Sequence, residues 1–314
     1  MKPGVVDRIG NYRIDRERKR DVDSVVYDAR HLVLPRRAFV KVMHEVSPQA
    51  LAVQLLREAC ILEALDHPGS VRVYESGLIP ERRAWFAYER VDGSTVRDML
   101  STGPLDPTAA AGLLRDIAEI LDHAHRRGVV HCALRPESIV VTGRTRGFPL
   151  CITDWSDARA HDTSAPTRAV GPADYTAPEL VNGDAVDDRA DIFALGVIAY
   201  QALTGELPFD GVWIATVADG TTQHVPTEVR CPDAPPQLCS LVDQMLAWDR
   251  FDRPSSFEAK AELAQLAADL SEPHTHSGGV VRIRKPKWTP SLPIDGEPDL
   301  VAVDTSDENP TKSS

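Results

Sequence analysis

The side chains able to do chemistry fall in short runs along the 314 residues. A lysine closes Ala38-Phe39-Val40-Lys41, and a carboxylate sits in Arg57-Glu58-Ala59, with His67-Pro68 beyond it. An imidazole, a thiol, a guanidinium, a carboxylate and a hydroxyl share His131-Cys132-Ala133-Leu134-Arg135-Pro136-Glu137-Ser138. Asp154-Trp155-Ser156, Ala177-Pro178-Glu179, Asp191 and Arg253 follow. The thiols are the simplest to read. Cys60, Cys132, Cys151, Cys231 and Cys239 form no CxxC pair and no regular framework, which describes reduced, mostly buried thiols of a cytosolic protein.

The elements that must position these groups change character along the chain. Asn11–Ile14, Ser24–Arg30 and Arg37–Val42 read as short strands, and Gln49–Leu65 carries apolar residues at helical spacing. Val71–Tyr74 and Trp85–Tyr88 return to strand character. From Asp106 the pattern is helical: Asp106-Pro107 caps a periodic run from Ala109 to His125. Asp187 to Leu203 is a largely buried helix stopped at Gly205, and Ser255-x-x-Glu258 is a capping box opening the last helix. Strands followed by helices predict an α+β protein with a small β-rich lobe and a larger helical one. Periodicity is lost past Ser271, so residues 271–314 are expected to form a disordered tail.

Composition narrows the function classes. Acidic residues outnumber basic ones 47 to 35, for a formal charge of −12, which argues against a general nucleic-acid binder. The longest apolar stretch, Ala194 to Leu203, falls short of the ~20 residues of a membrane span, and the N-terminus has no apolar signal core. A cytoplasmic protein with neither a nucleic-acid nor a membrane partner is expected.

In their order and spacing, the runs resemble bacterial, eukaryotic-like (Hanks-type) Ser/Thr protein kinases over roughly residues 10–270. The resemblance implies an N-lobe of about 10–90, a C-lobe of about 91–270 and a short extension at 1–9. It assigns Lys41 and Glu58 to the pair that grips nucleotide phosphates and Asp154 to the magnesium ligand. Val26, Phe39, Glu89, Val91 and Val140 would line the adenine pocket. Leu62, Val73, Trp155 and His131 would form an apolar column standing on Asp191, and Glu179 would pair with Arg253.

The departures are as informative. Ala133 stands where the family has the Asp that accepts the substrate proton, assistance worth ~10²–10⁴-fold. Ser138 replaces the metal-binding Asn, Arg135 the catalytic-loop Lys and Pro172 a Thr that contacts the Asp. Lys19, Asp21 and Ser24 replace the phosphate-loop glycines, which let the backbone approach phosphate. The basic run Arg16–Arg20 reads either as a compensating phosphate attractor or as a solvated strand end. Phe39 replaces a small alanine against which adenine packs, so its ring either fills the adenine space or turns into the N-lobe core and leaves the pocket open. Cys132 replaces an arginine that receives an activation-segment phosphate, which disconnects Thr163, Ser164 and Thr167 from that switch.

These losses lead to the expectation of a pseudokinase: no enzyme and no required cofactor, but a regulatory or scaffolding module whose protein partner is an active Ser/Thr kinase or another signalling protein. Two alternatives use the surviving Lys41 and Asp154. One is a sensor that binds ATP and Mg²⁺ without turnover. The other is an atypical active Ser/Thr kinase in which Ser138 also serves. In the tail, Arg282-Ile283-Arg284-Lys285-Pro286-Lys287-Trp288 reads as a solvated linker or a docking peptide, with Thr289 and Thr305 as phosphoacceptors.

Overall fold

The computed structural model describes residues 7–44, 49–80, 83–160, 173–209 and 224–271, all within one compact unit, Met1–Pro273. Residues 1–6 of the expected extension at 1–9, Pro172, Thr163, Ser164, Thr167 and the tail beyond Ser271 lie outside the described residues, while Arg8 and Ile9 of that extension pair into the small-lobe sheet.

The small lobe is a six-stranded antiparallel sheet with one long helix. The strands are β1 (Arg8–Ile9), β2 (Tyr12–Arg20), β3 (Ser24–His31), β4 (Arg37–Met43), β5 (Val73–Ile79) and β6 (Arg83–Glu89), ordered β1-β2-β3-β4-β6-β5. Helix α1 (Gln49–Leu65) packs on the sheet between β4 and β5 in the chain. Side chains alternate between the faces of a strand. Ala38, Val40 and Val42 of β4 therefore join Tyr12 and Trp85 in one apolar cluster. Phe39, Lys41 and Met43 face the other way, toward α1 and the large lobe. Gly10 shows how closely the outer cluster is packed: its φ is +53°, and a Cβ there would come within 2.2 Å of the Trp85 ring.

The large lobe is helical. Short β7 (Ser94–Thr95) leads into α2 (Val96–Leu100), where Thr95 and Asp98 form a reciprocal capping box. Asp106 caps α3 (Pro107–His125) by accepting from the Thr108 N–H, as the Asp-Pro signal predicts. Strands β8 (Val129–Val130), β9 (Ile139–Val141), β10 (Leu150–Ile152) and β11 (Arg159–Ala160) then form two small antiparallel sheets, β10-β9-β7 and β11-β8. Two or three residues are too few to show a period, so the helical expectation for this stretch misses them. Helices α4 (Pro178–Asn182), α5 (Arg189–Thr204), α6 (Thr227–Arg230), α7 (Pro236–Met245) and α8 (Ser256–Ser271) complete the lobe. Left-handed Gly205 (φ 79°) ends α5, and Ser255 and Glu258 exchange the expected capping bonds before α8.

Two expected strands are displaced. β2 runs six residues past Ile14 because its cross-strand partner β3 continues through a bulged register. β5 begins at Val73 and runs to Ile79, since Val71 is buried ahead of the ladder while the rest of the strand pairs with β6.

Candidate active site

Strand pairing builds the roof of a cavity between the lobes. In the β3–β4–β6 ladder, Val26 lies opposite Lys41 and Phe39 opposite Tyr88, which puts all four side chains on one face. Val140 of β9 lies below, and Glu89 at the end of β6 and Val91 just after it complete this part of the lining. The cavity these groups enclose measures about 270 Å³. A second cavity, of about 320 Å³, lies under the β2–β3 turn and shares Lys41, Glu58 and Asp154 with the first.

The structure thus brings together every residue that the resemblance assigned to the pocket. Phe39 is buried against Tyr88 (ring centroids 5.7 Å apart) and carries the Arg18 guanidinium 4.7 Å from its own ring centroid. It forms part of the cavity wall, and space remains below it.

At the inner end, Lys41 Nζ donates to Glu58 Oε2 at 2.7 Å with both groups buried. Burial by itself would lower the Lys41 pKa. The negative charges of Glu58 and Asp154 outweigh it and hold the ammonium above the ordinary lysine value. Burial would likewise raise Asp154, but Lys41, the Ser156 hydroxyl, Lys19 and Arg135 keep its carboxyl below the usual range. Arg135 Nη2 donates to Asp154 Oδ2 at 3.0 Å, and the Ser156 hydroxyl donates to Oδ1. Ser138 is buried beside them, its hydroxyl donating to the Arg135 carbonyl at 2.8 Å.

The catalytic-loop scaffold is complete around the missing base. Buried Asp191 accepts from the backbone N–H of His131 at 2.7 Å and of Cys132 at 2.8 Å, and its Oδ2 lies 2.8 Å from His125 Nε2. The Ala133 N–H donates to His131 Nδ1 at 3.2 Å. Cys132 holds a left-handed φ of 66°, and its thiol pKa is pushed up by burial and then by the Asp191 charge. It is a packed thiol rather than a nucleophile. Trp155 is fully buried, stacks near His131 at 4.6 Å and satisfies its indole N–H on the Ile152 carbonyl. Arg253 binds Glu179 through both its terminal nitrogens, at 2.7 and 3.0 Å. That two-point, buried contact ties α4 to the segment before α8.

Residue reading missed the wall positions Val71, Tyr88, Thr95 and Thr153. Tyr88 is cross-strand from Phe39, Thr153 precedes Asp154, and Arg18, read only as part of a basic run, sits on a bulge. Cross-strand register would have identified Tyr88. A bulge leaves no trace in a single sequence.

Sequence comparison gives the site its context. Residues 22–263 match the family described as protein kinase domain. The chain is 31% identical to serine/threonine-protein kinase Pkn1 of Myxococcus xanthus over 309 residues, covering 94% of this chain and 44% of that protein. It is 31% identical to pkn2 of the same organism over 273 residues (82% and 32%), and 32% identical to PknJ of Mycobacterium bovis over 267 residues (82% and 45%). The chain therefore spans from about a third to less than half of the length of these relatives.

These matches correct the expectation that the chain is no enzyme. Its relatives over four fifths or more of its length are named as protein kinases, which points to an enzyme. The expectation overweighted a single side chain. Phosphoryl transfer rests mainly on positioning and charge neutralisation, and Lys41, Glu58 and Asp154 are grouped together here, so the side chain at 133 is not by itself a ground for excluding an enzyme. With a profile match over most of its length and the two-lobed fold that the match requires, this chain belongs to the protein kinase family.

Proposed function

We propose that the chain is an atypical ATP-dependent Ser/Thr protein kinase that transfers phosphoryl groups by positioning and charge alone. The observation that carries this reading is the buried Lys41–Glu58 pair, with ionised Asp154 beside it, at the inner end of an open interlobe cavity.

Members of this family normally use ATP and magnesium, and the donor set fits both. Asp154 and Ser138 present hard carboxylate and hydroxyl oxygens, the ligand type magnesium prefers. The Lys41 ammonium has three donors, of which Glu58 takes one. When bound, the metal–nucleotide pair supplies the γ-phosphoryl group and neutralises charge on it. Glu58 fixes the direction of Lys41, and Arg135, in contact with Asp154, brings a second cation to the floor. No carboxylate stands at position 133 to take the acceptor's proton. A loose transition state needs little base assistance before the acceptor oxygen has bonded; the hydroxyl proton then passes to water or to an oxygen of the transferred phosphoryl group as the bond to ADP breaks, so the reaction is slowed, not forbidden. From family turnover of 1–100 s⁻¹ and a base contribution of 10²–10⁴-fold, we expect a rate between ~10⁻⁴ and ~1 s⁻¹. The acceptor is a serine or threonine hydroxyl of a signalling protein or of a second copy of this chain.

The test is incubation of the full chain with γ-³²P-ATP and magnesium, alone and with a mixed Ser/Thr peptide pool, beside Lys41→Met and Asp154→Asn. Slow labelling of serine or threonine, lost in both variants, supports the proposal. ATP binding without label in prolonged reactions would identify a sensor without turnover and overturn it.

A further inference from the structure

The roof of the cavity is cationic where the family places glycine. Strand β2 carries Arg16, Arg18, Lys19 and Arg20 in succession, interrupted only by Glu17. In a regular strand, consecutive residues such as Arg18 and Lys19 would point to opposite faces. Here the pairing jumps from Glu17 opposite Tyr27 to Lys19 opposite Val26, leaving Arg18 as the extra residue of a bulge. Bulges re-aim side chains in this way. Lys19 takes the face of Val26, the cavity face, and Arg18 also lines the cavity. The two other cations are engaged elsewhere: Arg16 bonds Asp28 at 2.7 Å, and Arg20 bonds Glu17 on the side away from the cavity.

We propose that Arg18 and Lys19 form a side-chain phosphate clamp that replaces the backbone amides of a glycine-rich loop. Arg18 rests on the face of Phe39 and, among the described residues, makes no ion pair with a carboxylate. Lys19 borders both cavities and is held 2.9 Å from Asp21 at the turn. A polyphosphate lying along the two cavities would thus meet Arg18, then Lys19 above, with Lys41 and Arg135 below. Asp21 opposes this arrangement. Its contact with Lys19 offsets that repulsion and keeps the ammonium over the cavity. A clamp of this kind recognises charge rather than the shape of a backbone cradle. It favours triphosphate over diphosphate over nucleoside and weakens with ionic strength.

The inference deepens the kinase reading and rests on it for the nucleotide, so the test separates the two. Calorimetric titrations of wild type, Lys19→Ala, Arg18→Ala and the control Arg20→Ala would use magnesium-ATP, adenosine and inorganic tripolyphosphate. Arg20 carries the same charge on the same strand but is tied to exposed Glu17. Lys19→Ala and Arg18→Ala should each weaken ATP and tripolyphosphate by about tenfold or more, as for loss of a charge-assisted hydrogen bond, and leave adenosine unchanged. Arg20→Ala should stay within about threefold of wild type, since only a screened distant charge is lost. Unchanged ATP affinity in Lys19→Ala and Arg18→Ala overturns the clamp, as does an equal loss in Arg20→Ala. Wild type that binds tripolyphosphate through Lys19 but ignores ATP keeps the clamp and sinks the kinase reading. Wild type that binds neither overturns both.

Discussion

Restoring a carboxylate at position 133 isolates one departure from the family pattern, the absent base, from the others. The loop is already held for it. Asp191 fixes the backbone at His131 and Cys132, and Ala133 itself donates to His131 Nδ1. Ala133→Asp therefore adds a base to a standing scaffold instead of rebuilding one. Base assistance is worth ~10²–10⁴-fold, or ~2.7–5.5 kcal/mol at 1.36 kcal/mol per tenfold. The structure argues for the lower end. Asp154 supplies a like charge nearby, and Arg135, the neighbouring cation, already donates to it. The expected outcome is a rise in kcat of about 10²-fold. KM for ATP should stay nearly constant, because Ala133 lies outside the wall of the nucleotide cavity. Initial rates of ³²P transfer at saturating ATP, with a thermal melt to check folding, provide the assay. A folded variant whose kcat rises less than about threefold would refute the reasoning, since the missing base would then not limit the rate. A change confined to KM would refute it equally.

Two further outcomes follow from the site and its surroundings. Phe39→Ala removes a ring from the cavity wall and should tighten ATP binding in a titration, while the lost packing against Tyr88 lowers stability by about 3 kcal/mol. Unchanged affinity would show that the ring does not crowd the nucleotide. His67 accepts the Gly69 N–H on Nδ1 at 2.9 Å and packs against His123 and Phe148. Burial, with His123 adding to it, lowers its pKa from 6.5 to about 4. The unfolded chain therefore takes up a proton first, and stability due to neutral His67, complete above pH 6.5, is lost as pH falls toward 4. His67→Asn, whose side-chain carbonyl can accept the same N–H without titrating, should flatten chemical-denaturation stability over that window. An unaltered slope would exclude His67 as its source.

Motif content alone was enough for the two-lobed fold and for the grouping of Lys41, Glu58, Asp154, Val26, Phe39, Glu89, Val91 and Val140 around one cavity. Helix signals were equally legible, because the Asp106-Pro107 and Ser255-x-x-Glu258 caps are local interactions written in adjacent residues. Tertiary structure decided what depends on register and on space. Whether Phe39 fills the adenine site or walls it turns on a cross-strand neighbour, Tyr88, and on the about 270 Å³ left below. Whether the basic run is a solvated strand end or part of the site turns on the bulge at Arg18, which sends Arg18 and Lys19 inward and leaves Arg20 outside. Such choices come from the ladder as a whole. One inserted residue reverses the facing of all that follow it, and no local propensity records where it falls.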